Sequence, residues 1–570
     1  MELHPIVDSP SGRWRSAFPP AKWLSEYRGS WLTNDAVAGV TLAAYAVPVA
    51  LAYASLAGLP PQSGVYCYLA GGLFYALCGT SRQLAIGPTS AISMLVGTTI
   101  AGMAAGDAER CTEIAALTAL LVAVLSAGAW AFRLSSLVNF ISETILLGFK
   151  AGAALTIAMT QLPKLFGVKG GGEHFLERAW ILGEQIGTTN LTVLGFGLVA
   201  MAILLAGEKL LPGRPVALAV VAVAIIVVSF TSIDVYGVAT VGQLPQGLPG
   251  VRFPSLRPRE IDGILPLASA CFILAYIEGI SAARTLAKKN NYAISPRTEL
   301  LGLGVANFAV ALVHGFPVAG GLSQSVVNDK AGAKTPFALI FASAMLAVCL
   351  LFLTGLLRNL PTVILAAIVL VAVRGLIDIA ELRHLFRVSR FEFSMAVVAL
   401  VGVLLLGILK GVLLAAAVSL LMLLGSASRP HVAILGRIPG SRRYSDLARH
   451  PDNEPIPGAL IFRVEGSLLY FNVDHVRDVI WRRITSTELL RLVVCDLSNS
   501  PVVDVAGARM LARLHQDLVA RGIAMRVVEA HAKARDLLRA EGVEDRTGYL
   551  GRHLTVDVVV SDFELSSLHD

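Results

Sequence analysis

Two short segments rich in Gly, Pro and Ser interrupt long apolar stretches of the chain. The first is 80–90, which contains Gly87 and Pro88, and the second is 315–325, which contains Gly320 and Gly321. Backbone groups left unpaired at membrane depth cost several kcal/mol each unless they line a cavity within the protein. Two such breaks, one in each half of the chain, therefore predict a binding site between broken helices. If each break begins a half-helix, two positive helix ends converge on a negatively charged ligand.

A lysine stands in the middle of an otherwise apolar stretch. Lys150 is flanked by Gly148, Phe149, Ala151 and Gly152. Charged side chains inside a membrane span are rare enough that each is a functional hypothesis. The structural alternatives are that Lys150 extends toward the membrane surface or pairs with a carboxylate, either Glu143 or Glu278.

The composition is that of a membrane protein. The chain has 570 residues, of which 15% are charged, and a mean hydropathy of +0.68, far above a soluble protein of this size. The first apolar run comes only after Trp31 and follows several basic residues, so 1–32 is predicted to be a cytoplasmic segment and not a cleavable signal. Localisation in the plasma (inner) membrane, with several passes, follows from the same pattern.

Charge and motif content exclude several classes of protein. The net charge of +7 follows the positive-inside distribution and shows no basic block interleaved with aromatic residues, so no nucleic-acid partner is expected. The six cysteines are scattered singly, without the spacing of a metal site or a disulfide framework. There is no P-loop and no catalytic metal cluster, so we expect neither an ATP-driven pump nor an enzyme, and no cofactor.

Apolar runs predict about fourteen spans, several shorter than the roughly 20 residues that a straight crossing helix needs. They are 34–57, 65–79, 88–105, 113–131, 137–162, 190–208, 215–233, 263–285, 297–314, 320–329, 337–357, 361–377, 392–408 and 411–425. An even number places both termini on the same side. The offset from Pro48 to Gly87 and Pro88 resembles that from Glu278 to Gly320 and Gly321, as expected for repeats of inverted topology.

The composition changes after Gly425. We predict a membrane domain over 33–425, a polar linker over 426–457 and a small α/β domain over 458–565. Within that domain the runs 459–464 and 491–497 read as strands, and 506–520 and 530–541 as amphipathic helices.

Four stretches of sequence resemble the SulP inorganic anion transporters, a family that includes sulfate permeases, bicarbonate transporters and prestin. They are DAVAGVT at 35–41, VP at 47–48, AYASLAGLPP at 52–61 and the segment 79–88. The run DLS at 496–498 followed by VDVAG at 503–507 is similar to the STAS domain that these proteins carry. The resemblance implies fourteen spans as an inverted repeat of seven plus seven, divided into core and gate domains that move as an elevator. It also implies a homodimer.

The resemblance also implies where the anion binds. The family holds it between the starts of the third and tenth spans, which here contain Ile86, Gly87, Thr89, Ser90, Gly321, Leu322, Ser323 and Gln324. Hydroxyl groups of Thr89, Ser90, Ser323 and Ser325 would add donors to the backbone N–H groups, although these residues could serve only as helix caps. Tyr53 and Val49 occupy first-span positions that contribute contacts in animal members. Val49 replaces a polar residue there, and Tyr53 could be a core aromatic.

Two positions depart from or extend this pattern. Gln324 stands where prestin and its animal relatives have Arg, so a fixed positive charge is absent, and we expect Lys150 to supply it.

Glu278 matches a position that holds Asp at a sodium site in bicarbonate-transporting members and Glu in proton-coupled bacterial members. A desolvated carboxylate suits reversible protonation, so H⁺ is the expected coupling ion. Na⁺ binding and a purely structural pairing with Lys150 are the alternatives.

The STAS-like segment lacks one expected group. Bacterial anti-sigma-factor antagonists carry a phosphorylatable Ser directly after the loop Asp, whereas Val505 follows Asp504 here. Because that chemistry needs a hydroxyl, a role as scaffold, dimerisation element or ligand sensor is expected instead.

Several functions are compatible with these observations. The expected one is secondary active transport of a small inorganic anion, sulfate by proton symport. The alternatives are bicarbonate transport coupled to sodium, a passive anion channel or exchanger, and a non-transporting membrane sensor whose output is the STAS domain. A nucleobase permease would share the fold but lack that domain.

Overall fold

The computed structural model describes Trp23 and residues 27–104, 107–135, 142–172, 174–210, 215–231, 237–243, 245–255, 258–487 and 489–567. The predicted cytoplasmic segment 1–32 lies mostly outside the described residues. The chain divides into two compact units, Met1–Ser419 and Leu420–Asp570.

The first unit is built of helices, and the last of them continues beyond Ser419 into the second unit. They are α1 (Trp31–Leu56), α2 (Gln62–Cys78), α3 (Ser90–Met103), α4 (Ala108–Ala131), α5 (Glu143–Phe166), α6 (Phe175–Gln185), α7 (Leu191–Leu210), α8 (Val216–Phe230), α9 (Pro258–Lys289), α10 (Pro296–Leu312), α11 (Leu322–Lys330), α12 (Phe337–Val348), α13 (Thr354–Leu357), α14 (Thr362–Arg374), α15 (Ile379–Val388), α16 (Arg390–Leu406) and α17 (Ile408–Ser428). A π-helical turn, Cys349–Leu353, joins α12 to α13.

Each of the fourteen predicted spans overlaps a helix or, for 337–357, the continuous run from α12 to α13. Residues 105, 137–141 and 232–233 of these spans lie outside the described residues. Seven helical segments in the described part of the chain are long and apolar enough to cross a membrane. The half-helices α3 and α11 have 14 and 9 residues. Helices α6 and α15 were not predicted, because each is short, strongly amphipathic and rich in charged residues.

The helices of this unit pack in two groups. In one, α10 packs against α2 and α4, and α12 packs against α1 and α2. In the other, α5 packs against α14 and α16, and α14 packs against α7. This grouping corresponds to the core and gate domains that the family resemblance implies.

The two predicted breaks meet inside the first group. Strand β1 (Ile86–Gly87) pairs in antiparallel fashion with strand β2 (Ala319–Gly320), so that Ile86 lies opposite Gly320. Glycine is required at these positions because a β-carbon at Gly87 would lie 2.2 Å from the Tyr68 ring, and one at Gly320 would lie 2.8 Å from Leu84. Each short strand leads into a half-helix, so the pairing brings the beginnings of α3 and α11 together.

The second unit contains a five-stranded sheet with the order β4-β3-β5-β6-β7. Its strands are β3 (His431–Arg437), β4 (Tyr444–Asp446), β5 (Ala459–Glu465), β6 (Leu492–Asp496) and β7 (Ala524–Val528). Its helices are α18 (Val473–Ser486), α19 (Val505–Val519), α20 (Ala532–Ala540), α21 (Val543–Thr547) and α22 (Val556–Ser567). The two predicted strands and two predicted helices correspond to β5, β6, α19 and α20.

The prediction of a linker over 426–457 is wrong for two segments. Strand β3 pairs with β5 in antiparallel register, with His431 opposite Glu465, and β4 pairs with β3. The short, polar β4 and the Arg, Gly and Pro residues between the strands concealed this hairpin. Ala433 and Leu435 of β3 are buried in the apolar core beneath the sheet, so β3 is part of the folded domain.

Candidate functional site

The first turns of both half-helices lack side-chain caps. Thr89 precedes α3 in an extended conformation and Gly321 precedes α11 in the same way, and neither helix start has a side-chain cap hydrogen bond. Thr89 is therefore not the cap that one interpretation of the sequence suggested. Uncapped N–H groups at a helix start, together with the helix dipole, attract anions.

Unpartnered polar atoms are buried beside α3. The hydroxyl oxygens of Thr89 and Ser93 and the Oε2 atom of Glu278 are inaccessible to solvent and make no hydrogen bond of normal geometry within the protein. The side chains of Thr89 and Ser93 are 8% and 0% exposed. Leaving a buried polar group unpaired costs about 1–3 kcal/mol, so these atoms point to a ligand that completes their hydrogen bonds.

Glu278 is brought to the site by α9. This helix packs against β2, and the next residue, Gly279, lies against the backbone of Gly320. The Glu278 carboxylate lies within electrostatic range of the Lys150 ammonium, and the Thr89 hydroxyl lies close enough to this carboxylate to interact with it as a donor. The structure therefore brings together Lys150 of α5, Glu278 of α9 and the start of α3, three parts that are distant in sequence.

Tyr53 closes the same region from α1. Its side chain is 8% exposed, and its hydroxyl interacts with the Ser90 side chain and lies within electrostatic range of Glu278. Val49, one turn earlier on α1, is buried and apolar. Tyr53 is thus placed beside the half-helix start as predicted, whereas Val49 contributes no polar group.

Gln324 has a different environment from the one expected. Its Nε2 atom donates to the carbonyl oxygens of Ala85, at 2.9 Å, and Ala319, at 3.4 Å. Its Oε1 atom accepts a hydrogen bond from the Tyr68 hydroxyl. Because both ends of the amide are occupied, Gln324 bridges the two breaks and has no free donor to direct at an anion.

The other predicted residues of the second break divide into two kinds. Leu322 and Ser323 are exposed and Gly321 is half-buried, so the start of α11 is accessible. Ser325 is fully buried; its hydroxyl donates to Gly321 O at 2.7 Å and accepts from Ala85 N at 2.9 Å. Ser325 therefore fastens the two breaks together.

Further side chains that the sequence analysis missed hold the breaks in shape. The Glu299 carboxylate accepts from Tyr75 Oη at 2.7 Å, from Thr80 N at 2.8 Å and from Ser81 N at 3.0 Å. The Asn307 amide donates to Val318 O at 3.1 Å and accepts from Val318 N at 3.0 Å. These contacts supply the irregular backbone with the partners that a helix would otherwise provide.

Sequence signals existed for some of the missed residues. Ser93 lies four positions after Thr89, and residues four apart share one face of a helix. Glu299 follows Pro296 in a helical first turn, where an acidic residue is ordinary. Its interaction with Thr80, about 220 positions away, has no local signal.

In the second unit, Asp504 is a structural residue. Its Oδ1 atom accepts from Gly507 N at 2.9 Å, which caps α19, and its Oδ2 atom accepts from Tyr470 N at 2.7 Å. The following residue, Val505, is exposed and carries no hydroxyl.

Comparison with known proteins gives a consistent result for both units. Residues 32–399 match the sulfate permease family and residues 450–555 match the STAS domain family. The "Probable sulfate transporter Rv1739c" of Mycobacterium tuberculosis (strain ATCC 25618 / H37Rv) is 31% identical over 549 residues, covering 96% of this chain and 98% of the relative.

Two solved structures share the fold. The murine Slc26a9 anion transporter in its inward-facing state superposes with a TM-score of 0.88 at 22% identity, covering 98% of this chain and 96% of that one. The transmembrane domain of the cyanobacterial bicarbonate transporter BicA gives a TM-score of 0.59 at 21% identity, covering 69% of this chain and 98% of that one. At these identities the likeness concerns the fold alone.

Proposed function

The chain belongs to the sulfate permease family, and we propose that it is a secondary active transporter that carries sulfate together with a proton. Relatives of this chain are named as sulfate transporters. We place it in the plasma (inner) membrane as a homodimer, with its amino terminus and STAS domain in the cytoplasm.

The observation that carries the proposal is the set of unsatisfied donors at the half-helix starts. Two uncapped helix ends meet at the β1–β2 pair, and the Thr89 and Ser93 hydroxyls beside them make no hydrogen bond of normal geometry within the protein. A sulfate ion offers four acceptor oxygens and no donors, which matches a site made of donors. We propose that Thr89, Ser93 and the first N–H groups of α3 and α11 bind the ion.

Glu278 and Lys150 supply the coupling in this proposal. Ionised, the two side chains cancel one another's charge near the α3 start. When Glu278 takes up a proton, the Lys150 charge is uncompensated and the site gains one positive charge. Proton binding then strengthens anion binding, and by reciprocity the anion strengthens proton binding. The loaded form carries both ions, as symport requires.

The test is sulfate uptake into proteoliposomes under an imposed proton or sodium gradient. We expect a proton gradient to drive accumulation in the wild type and a sodium gradient to have no effect. Glu278→Gln should abolish accumulation while preserving exchange of sulfate for sulfate, because the donors of the half-helices remain. Glu208→Gln is the matched control, because it makes the same substitution at an exposed glutamate of α7, away from the site.

Each contrary outcome has a definite meaning. Accumulation driven by sodium would favour Glu278 as a sodium ligand. Undiminished proton-driven accumulation in Glu278→Gln would remove this residue from coupling. Uptake that no gradient drives would favour a passive channel or exchanger.

A further inference from the structure

A large cavity lies between the two packing groups of the membrane domain, away from the half-helix starts. Its volume is about 760 Å³, and α1, α3, α5, α6, α16 and α17 contribute to its wall. We call it the outer cavity, because it lies where α1 ends at Ser55 and Leu56 and where α5 ends near Lys164. With the amino terminus in the cytoplasm, these helix ends are on the external side.

The charged side chains that the structure describes in the wall of the outer cavity are all basic. Lys164 of α5, Arg178 of α6 and Lys410 of α17 line it together with His174, and no carboxylate occurs among the described lining residues. Glu173, between the lining residues Gly172 and His174, lies outside the described residues, and the Glu177 carboxylate of α6 accepts from the backbone N–H of His174 at 3.4 Å. Lys164 and Lys410 come from different helices, so the positive charge is spread around the cavity.

The remainder of the wall is partly polar and partly apolar. Thr98, Thr99 and Gln161 contribute hydroxyl and amide groups, and the two hydroxyls donate to the Met94 and Leu95 carbonyl oxygens one turn earlier on α3. The cavity volume is many times that of one water molecule, about 30 Å³, so an ion there keeps water around it. The outer cavity is therefore large enough for a hydrated ion and is not a tight binding pocket, and its described charged side chains are basic.

The outer cavity stops short of the anion site. Met94 of α3 lines it, whereas Thr89 and Ser90, one turn earlier on the same helix, do not. The Thr160 hydroxyl of α5 lies 4.0 Å from the Met94 sulfur. This contact between α3 and α5 marks the inner end of the cavity.

We propose that the outer cavity is an electrostatic vestibule that gathers divalent oxyanions on the external side and feeds them past Met94 to the half-helix site. A cleft lined by charges of one sign raises the local concentration of the opposite ion and its rate of association by about 10–10³-fold, an effect that falls with ionic strength. The proposal rests on the transport function and orientation proposed above.

The first experiment measures the local potential without any need for transport. Thr98→Cys introduces a thiol into the cavity wall, where Thr98 is exposed. Its rates of modification by an anionic and a cationic thiosulfonate reagent, added from outside, are compared in proteoliposomes. We expect the anionic reagent to react faster, and the ratio of rates to fall about tenfold in a Lys164→Gln/Lys410→Gln background. The wild type, which keeps Thr98, is treated in parallel so that the reaction of the native cysteines can be subtracted.

The second experiment measures sulfate uptake as a function of ionic strength. Lys164→Gln/Lys410→Gln should raise the apparent KM about tenfold at low salt and leave the rate at saturating sulfate unchanged. The apparent KM of this double variant should then depend little on the salt concentration. Lys169→Gln is the matched control, because Lys169 follows the end of α5, is exposed and is absent from the cavity wall.

The two proposals fail in different ways. A wild type that takes up no sulfate contradicts the proposed function, while the reagent ratio still tests the vestibule. The vestibule is contradicted if the protein takes up sulfate but the two reagents react at equal rates. It is also contradicted if the salt dependence of sulfate uptake is the same in the Lys164→Gln/Lys410→Gln variant and in Lys169→Gln. Modification of the cysteine from the inside only would overturn its external position.

Discussion

Replacing Thr89 by Val tests whether the Thr89 hydroxyl serves a ligand or the fold. Thr89 Oγ1 is buried and makes no hydrogen bond of normal geometry within the protein, although it faces the Glu278 carboxylate. Val has nearly the same shape as Thr. Thr335→Val makes the same change where the hydroxyl is fully engaged. Thr335 Oγ1 donates to Asp35 Oδ2 at 2.6 Å and accepts from Phe337 N at 3.2 Å, and the residue is 1% exposed.

The two variants should have opposite effects on sulfate affinity and on stability. A hydrogen bond to a charged group contributes about 1.5–3 kcal/mol, so Thr89→Val should weaken sulfate binding by about 10- to 150-fold. Its stability should stay the same or rise, because an unsatisfied buried group is removed. Thr335→Val should lower the free energy of unfolding by about 1–3 kcal/mol, since it leaves a buried Asp35 oxygen without its donor, and should leave sulfate affinity within about twofold.

Two measurements on purified protein decide the matter: equilibrium binding of labelled sulfate, and thermal unfolding in the absence of sulfate. Added sulfate should raise the unfolding temperature of the wild type and of Thr335→Val, because a ligand that binds only the folded state stabilises it, and should do so much less in Thr89→Val. If Thr89→Val binds sulfate like the wild type, or loses as much stability as Thr335→Val, then the Thr89 hydroxyl has no ligand role.

Three further predictions concern other parts of the molecule. Lys150→Met should weaken sulfate binding by about 1–3 kcal/mol, whereas Lys150→Arg, which keeps the positive charge, should lose much less affinity; equal losses in the two variants would assign Lys150 to structure. Gly87→Ala should destroy binding and lower stability together, because its β-carbon would overlap an aromatic ring at 2.2 Å; a folded, binding variant would contradict the tight packing of β1. Burial raises the pKa of Asp446, but its hydrogen bonds, including one to His431 at 3.0 Å, outweigh burial and hold that pKa below 3.8. Its contribution to stability should therefore be present above about pH 4 and be lost as the pH falls through the lowered pKa; urea unfolding of the wild type and Asp446→Asn across this range should converge at low pH.

The apolar helices and the two breaks were predictable because their signals are local. Length and apolar composition mark a span, and Gly87 with Pro88 marks an interruption, within windows of ten to twenty residues. The sequence indicated that the two breaks come together, but not that β1 pairs with β2. Its register depends on contacts such as that of Gly87 with the Tyr68 ring.

The environment of Gln324 was not predictable from local pattern. Its position at a half-helix start favoured a role in binding, yet its amide is occupied by Ala85, Ala319 and Tyr68. The Tyr68 partner lies 256 positions away, and no periodicity in either segment indicates the contact. The strand β3 was missed for a related reason, because its partner β5 lies beyond a polar, irregular segment.

The bridging role of Gln324 bears on how such a site releases its ion. A fixed cation 4 Å from a unit negative charge contributes about 4 kcal/mol at an effective dielectric of 20, and about twice that for a dianion. A helix start contributes only about half a unit charge, so two half-helices attract sulfate without holding it indefinitely. In the proposed mechanism the remaining positive charge, on Lys150, is switched on and off by protonation of Glu278. With an amide at 324, tight binding then occurs only in the protonated state, and loss of the proton frees the anion.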